Sequence, residues 1–297
     1  MPITLVMRVS KSLMLRCLLL AGAVVLLGAP AAVADASTST STNWSGYVAH
    51  GVRFRRVTSL WTQPTLTCTP GDRSYSAVWV GLGGYNLTSK ALEQIGTEAD
   101  CNTKGREIST AWFELVPAPS RSLRMIVHPG DLMAGRVTVV GNQVTLVLSD
   151  RTRHRTFTKS VTDSTLDVTS ADWIVEAPSE CGGDGSQCQP LTLADFGSET
   201  FARARAETAL GKNGPISSRR WRTAVITLSP PRSGRRFSGN EGAGEGESSP
   251  SPLKHAGTSF KLTYSPIAAP VAPVPQPLYA GDARTLQQYL GEPRATP

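Results

Sequence analysis

The stretch Tyr75–Leu82, "YSAVWVGL", decides how this chain is read. Successive side chains of an extended strand point to opposite faces, so Val78, Val80 and Leu82 share one side. Ala77, Trp79 and Gly81 share the other. The first side is an apolar packing surface. The second sets a large indole between two of the smallest side chains, whereas a solvated sheet face ordinarily shows Lys, Thr and Ser.

The same division recurs in neighbouring runs. In "AWFEL", Ala111, Phe113 and Leu115 face one way, and Trp112 and Glu114 the other. In "ALEQIG", Leu92, Gln94 and Gly96 share a side. In "SADWIVEAPSEC", Ala171, Trp173 and Val175 oppose Asp172, Ile174 and Glu176. An apolar face backed by one that mixes tryptophan, glycine, glutamine and glutamate suits a groove for an extended polymer. Aromatic rings grip, glycines allow close approach and a few polar groups orient the ligand. The competing reading is an outer, solvated sheet face.

Short runs rich in Val, Ile, Thr, Trp and Tyr continue from "NWSGYVAH" to "SFKLTYS", separated by turn signals such as "TPGD", "HPGD" and "SPP". "LRMIVH" (123–128) reads as one strand among them, and Gly141-Asn142 as a tight hairpin turn. Only "ETFARARAETAL" (199–210) reads as helical, and "SGRRFSGNEGAGEGESSPSPLKHAG" (233–257) reads as a long loop between the last two strands. The fold expected is all-β: one β-sandwich domain over residues 43–266.

The ends differ from this core. Residues 1–34 read as a secretory signal, with Arg8, Lys11 and Arg16 before the apolar "CLLLAGAVVLLGA" and a small-residue site at Ala32-Val33-Ala34. The apolar run is shorter than the ~20 residues of a membrane span, so no membrane association is expected after cleavage. Residues 35–42 read as a short linker, and 267–297 as a Pro- and Ala-rich tail. Losing the three basic residues of the signal lowers the formal charge from +7 to +4, too mild to indicate a nucleic-acid partner.

Four cysteines remain after Cys17 departs with the signal, an even number that suits disulfides in an exported chain. Cys181 and Cys188 flank the flexible "GGDGSQ", which pairs Cys68 with Cys101. Zinc is the rival use of these thiols, but no C-x₂-C pair or nearby histidine supports it, so no metal and no cofactor are expected. There is no G-x-S-x-G, H-E-x-x-H, Asp-Thr-Gly or Asp-Ser-Gly, and the four histidines are scattered. If the chain is a hydrolase, carboxylates and amides do the work.

"NWSGYV", "AVWVGLGG", "ALEQIGTEADC", "AWFELVP", "ADWIVEAPSEC" and "PLTLADFG" follow in an order that resembles the glutamic endopeptidases. These are peptidase family G1, the eqolisins, formerly grouped as peptidase family A4. The resemblance implies two bent antiparallel sheets of the concanavalin A-like lectin and glucanase type. It implies a secreted, monomeric endopeptidase that acts on polypeptides at acidic pH. By resemblance, Glu176 is the general base and Gln94 the amide that stabilises the oxyanion, while Trp79, Trp112, Glu114 and Trp44 line the substrate groove. An acidic optimum accords with a glutamate left near its ordinary value of ~4.3. The chain departs from the fungal pattern at Gly83 and Thr110, where the resemblance implies aspartates, and at Ser179, where it implies an acidic residue. The alternative from the same architecture is a carbohydrate-binding or glycoside-hydrolysing protein, with Glu114 and Glu176 as its carboxylate pair.

Overall fold

The structure, a computed structural model, describes residues 36–180, 188–230 and 246–267, and every regular element among them is a β-strand. In chain order these are β1 (Ser37–Ser41), β2 (Trp44–His50), β3 (Phe54–Thr62), β4 (Ser74–Gly83), β5 (Leu92–Cys101) and β6 (Glu107–Val116). There follow β7 (Arg121–Ser122), β8 (Leu132–Val140), β9 (Gln143–Asp150), β10 (Arg155–Thr162), β11 (Ser170–Glu176) and β12 (Ser179–Glu180). The last are β13 (Gln189–Pro190), β14 (Ser198–Thr208), β15 (Asn213–Pro215), β16 (Arg222–Leu228), β17 (Gly246–Pro250) and β18 (Phe260–Pro266).

The strands hydrogen-bond in the order β10-β9-β8-β3-β14-β18-β17-β16-β2-β11-β4-β5-β6-β7. This ribbon doubles back on itself as a sandwich, so that β4, β5 and β11 pack face to face on β3, β8 and β9. Val78, Val80, Leu82, Ile95, Trp173 and Val175 supply one side of the core; Trp61, Met133, Val137, Leu146 and Leu148 supply the other. Two indoles also bond across the layers: Trp173 Nε1 donates to the Thr58 carbonyl at 3.0 Å, and Trp61 Nε1 to Thr97 Oγ1 at 2.9 Å. Gly135 on β8 is needed at this crossing, since a Cβ there would stand 2.7 Å from the Trp61 ring.

Four expectations are corrected. The helix expected at 199–210 is strand β14, whose first four residues pair with β18 and whose Ala-Arg repeat pairs with β3 and alternates between faces. Ala, Arg and Glu favour helices, but tertiary pairing overrides propensity. The register shifts between Ala202 and Arg205, and Arg203 sits at φ 52°. That bulge lets one strand pass from one layer to the other, and near its end buried Glu207 pairs with Arg55 and Arg56. The Gly/Ser/Pro loop contains β17, which fills the space between β16 and β18. The segment read as a linker contains β1, which pairs in parallel with β16. "LRMIVH" is not a strand: after the bond from Leu123 N to Ala111 O it runs into a turn closed by Asp131.

The hairpin at Gly141-Asn142 is present, with Val140 opposite Gln143 and Gly141 at φ 59°. The Cys68–Cys101 disulfide is also formed, tying the segment after β3 to the end of β5. Cys181, and with it the proposed Cys181–Cys188 bridge, lies outside the described residues, as do the N-terminal segment and the tail from residue 268.

Candidate active site

Strands β2, β11, β4, β5 and β6 lie side by side, and their outward faces form rows of opposed residues. One row reads Trp44, Glu176, Ala77, Glu98 and Thr110. The next reads Gly46, Ile174, Trp79, Gly96 and Trp112. A third reads Val48, Asp172, Gly81, Gln94 and Glu114. Strand alternation therefore puts all six expected site residues on one face. Their apolar members form a second cluster, separate from the sandwich core, built on Val48, Trp79, Leu92, Trp112 and Ile174 with Trp44 against it.

Glu176 ends β11, and its carboxylate is held from two sides. Asn43 Nδ2 donates to Oε1 at 2.9 Å, and Trp79 Nε1 donates to Oε2 at 2.8 Å. Burial pushes Glu176 up to about 7; hydrogen bonds from Trp79, Trp44 and Asn43 oppose that rise, and the nearby charge of Glu114 adds to it. The premise of an unperturbed glutamate therefore gives way: removing water from the carboxylate outweighs three donors.

The sequence gives Asn43 no part in the site, and the tertiary contact with Glu176 alone supplies one. Ser41 Oγ donates to Asn43 Oδ1 at 3.2 Å, which turns the amide nitrogen toward Glu176. The same hydroxyl accepts from the backbone of Asn43 and Trp44, and Asn43 O accepts from Ala177 N at 2.8 Å. The turn between β1 and β2 is thus built around the end of β11.

Gln94 is 4% exposed and donates through Nε2 to Glu114 Oε2 at 2.6 Å, while its Oε1 has no partner among the described residues. Burial also raises Glu114 from its ordinary value, opposed by the bonds from Gln94 and the Ser120 backbone. Gln94 and Glu176 share the face but stand in different rows, and no hydrogen bond joins them. Trp79 lies between. A Cβ at Gly96 would meet Trp79 Cβ at 2.6 Å, and one at Gly81 would meet its ring at 2.9 Å. These glycines, expected to admit a ligand backbone, instead make room for the indole. Trp79 is itself fully buried with its edge against Trp44, so it is a floor for Glu176 rather than an exposed wall. Trp112 is nearly buried, and its Nε1 lacks a partner among the described residues.

The face is richer in carboxyls than the sequence reading found. Asp172 is fully buried and pushed well above its ordinary value by burial; only Ser170 Oγ donates to it, at 3.3 Å. Burial likewise raises Glu98, and takes Asp100 to about 8. Both share the parity of Gln94, a signal present in "EQIGTEAD" but unused. At Gly83 the glycine is a steric requirement, with φ 88° and the Asp167 carbonyl 2.4 Å from where a Cβ would stand. Asp167 supplies a carboxylate nearby, accepting from Gly84 N at 3.2 Å. Among the described residues, no group of three or more His, Cys, Asp or Glu could hold a metal ion.

Comparison with known proteins accords with this geometry. The chain is 27% identical over 204 residues to aspergillopepsin-2 of Aspergillus niger, covering 59% of this chain and 67% of that one. It is 26% identical over 163 residues to scytalidopepsin B of Scytalidium lignicola, covering 53% and 60%. Its fold matches scytalido-glutamic peptidase crystallised with a peptide-based transition-state analog, at TM-score 0.59 and 20% identity over 76% of this chain and 99% of that chain. It also matches SCP-B, a member of the eqolisin family solved with the tripeptide Ala-Ile-His, at TM-score 0.56 and 19% identity over the same shares. The model of the Peptidase A4 family matches residues 42–227, and the chain belongs to that family, the glutamic endopeptidases that its sequence blocks resemble.

Proposed function

We propose that this protein is an exported, monomeric endopeptidase that hydrolyses polypeptides with Glu176 as general base and Gln94 as oxyanion donor. The observation that carries the reading is the pair of anchored groups on one face: a carboxylate fixed by Asn43 and Trp79, and an amide fixed by Glu114. Ionised Glu176 takes a proton from water as that water's oxygen attacks the peptide carbonyl carbon. The carbonyl oxygen becomes an oxyanion in a tetrahedral intermediate. One N–H of Gln94 is held by Glu114, leaving its second N–H for the oxyanion and its unpartnered Oε1 for a hydrogen of the attacking water. Collapse breaks the C–N bond, and Glu176 passes its proton to the leaving amine. A positioned acid/base contributes about 10²–10⁴-fold, and one oxyanion donor roughly 10²–10³-fold.

Base catalysis by a group near 7 gives a rate that rises with pH toward that value. The rate is then expected to level off near neutrality, above the acidic optimum that the family resemblance implies. The test is cleavage of a denatured protein by Gln94→Ala and Glu176→Gln variants with unchanged melting temperatures. Each is expected to lose at least ~10²-fold in kcat/KM. Undiminished proteolysis by either variant overturns the mechanism, and cleavage of a glycan in place of protein overturns the function. N-terminal sequencing of the mature protein tests export, with cleavage after Ala34 expected.

A further inference from the structure

A second concave surface lies away from the candidate site, where the two ends of the strand order approach each other. It is a groove of about 1,030 Å³ bordered by β10, by β7 and by the residues that follow β7. Its floor is apolar: Phe113 and Phe157 stack with centroids 6.0 Å apart at 23°, and Leu115, Leu123 and Met125 adjoin them. Its rim is cationic. Arg121, Arg124, Arg155 and Lys159 line it against a single carboxylate, Asp163. All four cations are exposed, and none forms an ion pair among the described residues.

Charge on a terminal strand often only blocks edge-to-edge association. That purpose does not require an apolar trough beside the charge, and here the two are interleaved. β10 is half-buried only at Phe157 and Val161, so Arg155, Phe157, Lys159 and Val161 share the groove side. Each end strand has one hydrogen-bonded neighbour in the strand order, which leaves its outer edge unpaired. A fatty acid would use the trough and one cation but none of these backbone groups. An extended polypeptide uses all three features.

We propose that this groove is a docking site for an extended polypeptide segment carrying acidic residues four positions apart with an apolar residue midway between them. The spacing follows from β10. Arg155 and Lys159 are two pleats apart, about 13 Å, with Phe157 between them on the same side. A strand laid along β10 presents alternate residues to the same side, so acid, apolar and acid meet Arg155, Phe157 and Lys159 in turn. The site is separate from the Glu176 face and holds whether or not that face is catalytic.

The test is fluorescence anisotropy of labelled Glu-Thr-Leu-Thr-Glu-Thr-Leu on the full chain near neutral pH, with peptide integrity checked by mass spectrometry. Saturable binding is expected, weakening at least ~10-fold in the Arg155→Glu/Lys159→Glu double variant and severalfold in Phe157→Ala. The Lys counterpart of the peptide, and a version with N-methylated backbone, should bind at least ~10-fold more weakly. Melting temperatures confirm that the variants are folded. Equal binding of the Glu and Lys peptides, or indifference to the double variant, overturns the proposal. Binding of oleate with the same variant dependence, in the absence of acidic-peptide binding, overturns it in favour of a lipid site.

Discussion

Trp173 and Trp79 sit on adjacent strands, both wholly buried, one on each face of the same sheet. Trp173 points into the sandwich and gives its N–H to the backbone of the opposite layer. Trp79 points outward and gives its N–H to a carboxylate. Equal burial therefore serves two purposes. On the inner face the indole ties the two layers together through a backbone carbonyl, while on the outer face it meets the Glu176 carboxylate, whose burial raises its affinity for protons. Burial alone does not separate core from site; the chemistry of the hydrogen-bond partner does.

The sharpest way to break this contrast is Trp173→Ala. Loss of the ring and its cross-layer bond should lower the unfolding free energy by about 3–5 kcal/mol, while the folded fraction keeps its cleavage activity. Denaturant unfolding reads the first, and initial rates at low temperature read the second. A loss below ~1 kcal/mol would mean that the inner face is not the stabilising one.

Next in size is the response of stability to pH. Burial raises Glu93, Asp100 and Glu199 to about 8, so each binds its proton more tightly in the folded state than in the unfolded chain. Their contribution is complete below the ordinary carboxylate value and is lost as pH climbs toward 8. The melting temperature should fall by more than ~5 °C between about pH 4 and pH 8. A melting temperature that rises over that interval would contradict the assignment.

Asn43→Ala addresses the outer face directly. Removing one donor from the Glu176 carboxylate should move the rising limb of kcat/KM upward by about 1 pH unit, with little change in stability. A limb that stays in place would show that the Asn43 contact does not tune Glu176. The smallest expected effect is that of Glu199→Gln. Glu199 accepts from Thr200 N at 2.7 Å and Thr62 N at 3.3 Å, away from the site. Its removal should reduce the pH slope of stability by about one proton and leave the kcat/KM limb unmoved. A shifted limb would join two regions held here to be separate.

The alternation in "YSAVWVGL" and "SADWIVE" was enough to divide core from site, because period two is a property of the extended chain. It was not enough for "ETFARARAETAL", where helix propensity and alternation point opposite ways and pairing with β3 and β18 decides. Nor could it assign Asp172, whose parity was legible but whose complete burial depends on what lies above it.

What the sequence determined by itself was an all-β chain with two chemically distinct faces, the turn at Gly141-Asn142 and the order of motifs that marks its family. Strand period, turn chemistry and motif order are local, so they survive without coordinates. The tertiary structure alone decided that Asn43 reaches Glu176 across 133 residues, that Gly81 and Gly96 accommodate Trp79, and that Glu176 is raised to about 7. Those facts depend on which strands become neighbours and how much water they exclude, and neither is written in any one stretch of chain.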